Sequence, residues 1–451
     1  MTSERPFSPE LWDQTPAAVQ DYIHVLEARV TALEAIVQRV EATVQHVTER
    51  LPQDSRTSSR PPSRDPPQAL ATRPRRVPSG RRPGGQPGHE GHTRALVPVE
   101  VVDVVRPVQP ACCRRCHHPL LGEAPAPQRH QVTEVPPVPP VVIASQLHQL
   151  SCPVCGEITR AELPVGVPRG GFGPRVQAIA ARCTGAYHRS KRTTQRGLDD
   201  LFGVSIGGGT LANLEHTTVA ALAQPVAEAR AYVQAPPVAY RDETGWREGR
   251  ARAWLWAAVT TWVTVFVVRL SRSGQVAQAL LGEQFWGDLV MERGSAYAWY
   301  PPWRRQVCWA HWWRDIEALL ERGGKSQAMG EAWRAQAHQM FQWWHRVRDG
   351  TLTHASFTSS MWPVRREVER LLNAGQTCGV PKTEGTCREI LKLRQALWTF
   401  VRHEGVEPTN NAAERAIRPG VLWRKGSFGT QSAEGSRFVE TMMTVVATLK
   451  Q

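Results

Sequence analysis

The chain has 451 residues, 41% hydrophobic and 21% charged, an ordinary globular composition with apolar material for at least one sizeable core and a length that suggests about three domains. Lysine and arginine number 55 against 41 acids, a net charge of +14, which points to a polyanionic partner (nucleic acid or a membrane surface) and says nothing about fold. Nine cysteines are too few for a disulfide scaffold, the N-terminus holds no basic stretch followed by an apolar run, and the longest apolar run, Ala253–Val268, is broken by threonines, so a secreted, disulfide-stapled or integral membrane protein is excluded.

Residues 1–18 read as a tail. Beyond them Ile23, Leu26, Val30, Leu33, Val37, Val40, Val44, Val47 and Leu51 alternate at spacings of three and four, a heptad seam rather than the 3.6 period of a helix packed on its own domain. Residues 19–52 are therefore expected to form a coiled coil. Ile and Val at one seam position, with Leu at the other in the first two heptads, favour a parallel two-stranded form, hence a homodimer or higher oligomer. Pro52 stops the helix. Between Ser55 and His89 stand eight arginines, eight prolines and a single acid, Asp65. Such a segment cannot build a core, so residues 53–105 are expected as a disordered basic linker ending in an Arg/Gly arm. Its candidate DNA contacts are Arg75, Arg76, Arg81 and Arg82, placed along phosphates or in a minor groove; a solvated tether explains the arginines equally well.

Two C-x2-C knuckles follow, Cys113/Cys116 and Cys152/Cys155. Four thiolates complete a closed tetrahedral shell, so residues 106–168 are expected as a module around one structural Zn2+ ion. The spacer between the knuckles is long enough to predict a small β-hairpin within it, and Cys112 is an alternative to Cys113. Residues 169–235 read as helical, with short helices over Thr193–Leu201 and Leu211–Ala221 joined by the glycine-rich stretch Phe202–Gly209. That is a helix-turn-helix outline, with Lys191 and Arg192 as candidate phosphate contacts; a plain helical hairpin fits the pattern alone.

From residue 236 to 451 the pattern becomes α/β. Apolar β-rich runs end at Asp242, extend from Ala253 to Thr260 and from Trp262 to Arg269, and recur at Leu289–Met291 just before Glu292. Glu414 lies on a later helix that the sequence opens with an asparagine cap. Carboxylates on two strand ends and a helix suit a ribonuclease-H-like sheet with a helical insertion at about 311–400. Hard oxygen ligands of this kind hold two Mg2+ ions about 3.5–4 Å apart across a scissile phosphate; lone acids at strand ends are otherwise usually surface residues. Cys308-x2-His311 lacks a partner pair and reads as packing near the second acid.

Several stretches resemble transposases of the insertion sequence 66 family: Arg82-Pro-Gly-Gly-Gln-Pro-Gly-His-Glu-Gly-His92, both cysteine knuckles, Phe172-Gly-Pro174, His188-Arg-Ser-Lys-Arg-Thr-Thr194 with Leu201-Phe-Gly-Val204, Asp242-Glu-Thr-Gly245, Cys308-Trp-Ala-His-Trp-Trp-Arg314, Thr409-Asn-Asn-Ala-Ala-Glu-Arg-Ala-Ile-Arg-Pro419 and Arg424-Lys-Gly-Ser427. The resemblance spans nearly the whole chain. It implies a metal-dependent DNA transposase that binds element ends, cleaves them and joins the 3′-hydroxyls to target DNA, with Asp242 as first acid and Glu414 as third. It also implies small accessory proteins of the same element as partners and a nucleoid-associated place in the bacterial cytoplasm. Arg415 and Arg418, which follow Glu414 on its helix, are candidate DNA phosphate contacts, an ordinary ion pair explaining them equally well, and Arg424 and Lys425 are further candidates. Two features depart from the family. Glu292 stands where the family has aspartate, extending the carboxylate by one methylene, and the chain ends at Gln451 where relatives commonly continue. A second reading is therefore a catalytically lapsed relic, a dimeric zinc-containing DNA-binding protein.

Overall fold

The computed structural model describes residues 9–49, 88–90, 94–122 and 126–451. Arg75, Arg76, Arg81 and Arg82, and most of the linker that carries them, lie outside the described residues. The architecture is mixed α/β and divides into two compact units, Met1–Arg73 with Cys308–Glu404, and Pro74–Val307 with Gly405–Gln451. No helix among the described residues is long and apolar enough to cross a membrane.

A short helix, α1 (Pro9–Asp13), precedes the 33-residue α2 (Ala17–Glu49). Along α2 the seam residues Leu26, Val30, Leu33, Val37 and Val40 are 40–60% exposed. These seam residues are thus open to solvent among the described residues, as are Val25 and Ile36 off the seam. Leu51 and the side chains of Val44 and Val47 lie outside what is described.

In the second unit, residues at the end of the expected linker are already structured: Val97 exchanges main-chain hydrogen bonds with the side-chain amide of Gln131, 2.8 Å each way. The strands β1 (Gln149–Ser151) and β2 (Ile158–Arg160) pair around the second cysteine knuckle. The hairpin expected between the knuckles is thus corrected to one built on the second knuckle itself. The intervening stretch carries Pro127, Pro136, Pro137, Pro139 and Pro140, which lack the N–H groups a ladder needs.

Four helices follow: α3 (Pro174–Gly185), α4 (Lys191–Phe202), α5 (Gly208–Ala221) and α6 (Ala223–Tyr232). Pro174 opens α3 at its first turn, and Ser190 caps α4 by accepting from Thr193 N at 3.1 Å. Gly203, at φ +64°, closes α4 in the left-handed conformation that glycine adopts without strain. Ala180, Leu198, Val204, Ile206 and Leu211 form the small core that holds α3, α4 and α5 together.

The second unit then builds a five-stranded sheet from β3 (Val238–Glu248), β4 (Ala251–Val259), β5 (Thr264–Arg269), β6 (Asp288–Met291) and β7 (Arg305–Val307), with α7 (Gly274–Leu281) before β6. The spatial order is β5-β4-β3-β6-β7. The first three strands are antiparallel, while β6 and β7 run parallel to β3.

The other unit's helical part comprises α8 (Trp309–Arg322), α9 (Gly324–Arg348), α10 (His354–Gly375), α11 (Pro381–Lys392) and α12 (Thr399–Arg402). Trp309, Trp312, Trp333, Trp344 and Trp398 are buried in its core, whereas Trp362 is exposed. Trp309 packs edge-on against Trp312 (ring centroids 4.3 Å apart) and Trp398 (5.0 Å), and its Nε1 donates to Leu397 O at 2.8 Å. A buried indole is stable when its N–H finds an acceptor in this way.

The second unit closes with α13 (Asn411–Ser427) and α14 (Ala433–Thr448), which cover one face of the sheet through Ala413, Ile417, Val439 and Met443. The edge strand β5 has a partner on one side only, and α14 satisfies the other. Thr448 Oγ1, Thr444 Oγ1 and Glu440 Oε1 accept from Thr264 N (3.2 Å), Phe266 N (3.0 Å) and Val268 N (2.7 Å). The match is geometric: four residues of helix advance about 6 Å, and two residues of strand advance about 6.6 Å. A polar residue every fourth helix position therefore meets every outward N–H, and the edge is closed to further pairing.

Candidate active site

The sequence places Asp242 at a strand end. In the structure β3 runs on beyond it, because antiparallel pairing with β4 continues to Glu248↔Ala251. Parallel pairing with β6 reaches only Tyr240↔Val290, so Asp242 stands just past the parallel part of the ladder. Glu292 is the first residue after β6. Continuing the one-to-one register of β3 and β6 sets Glu292 level with Asp242 on the same face of the sheet. Asp288, the other acid of this strand, pairs instead with Val238, is buried, and lies 3.9 Å from Arg304. It belongs to the far end of β6 and does not replace Glu292.

Glu414 comes from the first turn of α13. Asn410 occupies the N-cap position, but it makes no side-chain capping bond, which corrects the expected asparagine cap. Its Nδ2 donates instead to Arg241 O at 2.7 Å, in a fully buried contact. The helix start is thereby tied to the residue immediately before Asp242, and Glu414 follows one turn later. Along the same helix Gly420 lies where a Cβ would collide with Leu255 of β4, so α13 approaches the sheet as closely as a bare backbone permits.

Strand alternation sorts the side chains of β3. Tyr240 joins the core under α13 and α14, and Asp242, two residues on, points to the same side. Asp242 is half-buried, and its carboxyl is held well above the ordinary carboxylate range, first by desolvation and then by the charges of Glu292, Glu243 and Glu414. Glu292 and Glu414 thus each lie within electrostatic range of Asp242. A carboxylate crowded in this way gains most from a cation placed among the acids.

Arg241 and Glu243 alternate to the opposite side, where they join a network that no local pattern signals. Glu243 accepts from Tyr297 Oη at 2.8 Å and from Arg272 Nε at 2.9 Å and Nη2 at 2.8 Å. Arg241 is 2% exposed, and none of its guanidinium nitrogens has a hydrogen-bond partner. Burial pulls its pKa down to about 9, partly offset by Tyr297.

Of the residues expected to meet DNA, Arg192, Arg415, Arg418 and Lys425 are exposed. Lys191 is ion-paired with Glu215 at 2.9 Å. Arg424 is engaged within the fold, its Nη1 donating to Thr244 Oγ1 at 3.0 Å and to Gly245 O. Cys308 and His311 are buried at the start of α8.

The two cysteine knuckles are near copies of each other. In each the fourth residue after the first cysteine returns an N–H to that cysteine's carbonyl at 2.9 Å, His117 to Cys113 and Gly156 to Cys152. Both of these residues have positive φ, 57° and 73°. Backbone N–H groups of Cys116 and Arg115 lower the Cys113 thiol pKa, and those of Cys155 and Val154 do the same for Cys152, the environment a thiolate ligand requires. Among the described residues the four sulfurs do not converge on one point.

The family described as "Transposase IS66 family" matches residues 170–437, and a family of unknown function matches residues 10–95. A relative, the uncharacterized protein y4qI of Sinorhizobium fredii (strain NBRC 101917 / NGR234), is 37% identical over 76 residues; these are 17% of this chain and 14% of that protein's length. The first match covers more than half of the chain and includes Asp242, Glu292 and Glu414, and the chain belongs to the IS66 family of transposases.

Proposed function

We propose that this protein binds the ends of an insertion sequence, cleaves them and transfers the 3′ ends to target DNA by metal-dependent phosphoryl transfer, with Asp242, Glu292 and Glu414 as the catalytic acids. The observation that carries this reading is the gathering of the three acids, from a mid-sheet strand, the end of its parallel neighbour and a helix tied to that strand, around a carboxyl held above its ordinary range. The three-antiparallel, two-parallel sheet order supports a ribonuclease-H-like domain. Carboxylate donors fit Mg2+, which Asp242, Glu292 and Glu414 would hold. Two such ions, when bound, activate the attacking oxygen and stabilise the leaving oxygen.

The remaining parts follow the chemistry of their surfaces. Arg415, Arg418 and Lys425 stand exposed on the helix that carries Glu414 and provide phosphate contacts beside the acids. Arg192 on α4 and the arginines of the Arg/Gly arm add further ones. The helix pair α4 and α5 supports a helix-turn-helix reading, and the open heptad stripe of α2 supports a homodimer. Zn2+ held by Cys113, Cys116, Cys152 and Cys155 is supported by the matched knuckles; its check is about one zinc per chain by elemental analysis, lost on Cys113→Ser/Cys152→Ser.

The test of the activity is Mg2+-dependent nicking of DNA carrying the element's own ends by the purified chain, with Asp242→Ala as control. Cleavage that needs Mg2+ and Asp242 supports the reading. Binding without cleavage by the natural chain, together with cleavage by Glu292→Asp, supports the second reading, a lapsed DNA-binding relic, which the longer acid at 292 favours.

A further inference from the structure

We propose that Tyr297 and Glu243 form a positioning pair that sets Glu292 against Asp242 from the back of the sheet, and that Glu243 is not itself a metal ligand. This rests on the reading of Asp242, Glu292 and Glu414 as the acids that hold the ions.

Glu292 lies on the segment that leaves β6, beyond the last ladder bond, so its near end is fixed by β6 and its far end by whatever holds Tyr297. Tyr297 is 2% exposed, in the short 3-10 turn Ser295–Tyr297. Within its turn its N–H donates to Gly294 O at 3.3 Å and its carbonyl accepts from Tyr300 N at 3.1 Å, and three longer-range contacts hold it. Its ring stands edge-on to Trp256 with centroids 6.5 Å apart, its carbonyl accepts from Arg305 Nη1 at 3.2 Å, and its hydroxyl donates to Glu243 at 2.8 Å. Only the last of these reaches β3, and it reaches the residue next to Asp242. The Glu243 side chain is 6% exposed, and its other oxygen is taken by Arg272. Both oxygens of Glu243 are thus engaged on the face opposite the one to which Asp242 and Tyr240 point. A short chain of contacts, Glu292-segment to Tyr297 to Glu243 to Asp242, clamps the two acids at one separation. Partners that orient metal ligands in this indirect way are worth about 10–100-fold in metal affinity.

The experiment follows Mg2+ binding by thermal shift of the full chain, beginning from chelator-treated protein. Tyr297→Phe removes one hydroxyl and retains the ring. The expected result is a melting temperature in chelator close to that of the natural chain, with a Mg2+ midpoint raised by about 10-fold. Glu243→Gln, which keeps an acceptor for the phenol but loses the charge that Arg272 binds, raises the midpoint less. The double variant is no weaker than Tyr297→Phe alone, because one linkage is broken once. Midpoints within about twofold of the natural chain for both single variants overturn the proposal, provided Asp242→Asn abolishes the response. A natural chain with no Mg2+ response removes the reading beneath it. Loss of the response in Glu243→Gln, as complete as in Asp242→Asn, makes Glu243 a ligand and also overturns it. Should Tyr297→Phe not fold, Glu243→Gln and Arg272→Met, acting from the other side of the carboxylate, carry the same comparison.

Discussion

Glu440 is the most heavily bonded acid on the helix that closes the sheet edge, and its removal should be the costliest polar change in that layer. Its carboxylate, 7% exposed, accepts from the buried Val268 N–H at 2.7 Å, from Arg269 Nη1 at 2.8 Å and from Arg230 Nη2 at 2.8 Å. Glu440→Ala leaves Val268 N–H without an acceptor, at about 1–3 kcal/mol. The arginines are 46% and 41% exposed, so water screens them and each lost pair adds at most about 1 kcal/mol. The sum is about 1–5 kcal/mol. Glu440→Gln keeps an acceptor for Val268 and gives up only the charge, so about 1 kcal/mol is expected. Denaturant melts order the three proteins, and hydrogen exchange at the Val268 amide reports the local bond. Equal stability of the Ala and Gln variants, or an Ala variant within about 0.5 kcal/mol of the natural chain, would refute the edge-closing role.

Further outcomes concern the acids and their scaffold. Because the folded Asp242 carboxyl lies above its ordinary value, folding takes up a proton there. The stability linked to it is intact below about pH 3.9, where the unfolded carboxyl titrates, and is lost as pH rises towards the folded value. Asp242→Asn should therefore raise the metal-free melting temperature at neutral pH, with a gain that shrinks near pH 4; a variant no more stable in chelator contradicts the crowding. Gly420→Ala would place its methyl into Leu255 and 3.0 Å from Met443 Cε, costing about 1–3 kcal/mol and displacing the helix that carries Glu414; a melt and cleavage rate equal to the natural chain's would sink this. Arg241→Met, which removes a buried cation whose nitrogens lack hydrogen-bond partners, should stabilise the chain by about 1–4 kcal/mol in the same melts, and destabilisation would show that the charge is needed.

Local patterns told most of the fold. The heptad spacing gave α2, Pro174 and Gly203 marked the ends of α3 and α4, and the β-rich runs gave β4 to β6 to within a few residues. The three acids stand out in the sequence through the family resemblance, since acids at strand ends are by themselves usually surface residues. What the sequence hid depends on distant pairing. Asp242 reads as a strand end because Gly245 follows it, whereas the ladder with β4 carries β3 on to Glu248. Asn410 reads as a cap because asparagine favours that position, but its amide bonds a strand far away in sequence. Glu243 and Tyr297 meet across three strands and a helix of intervening chain, and no spacing rule links them. The Glu440, Thr444 and Thr448 repeat is regular enough to be noticed, yet its meaning requires knowing that an edge strand lies against it.

The most direct test is an in-cell transposition assay, in which the chain is supplied with a marker flanked by its native element ends, beside Asp242→Ala and Glu292→Asp versions. The account predicts movement with the natural chain, abolished by Asp242→Ala and retained by Glu292→Asp. Movement that persists undiminished in Asp242→Ala would contradict it.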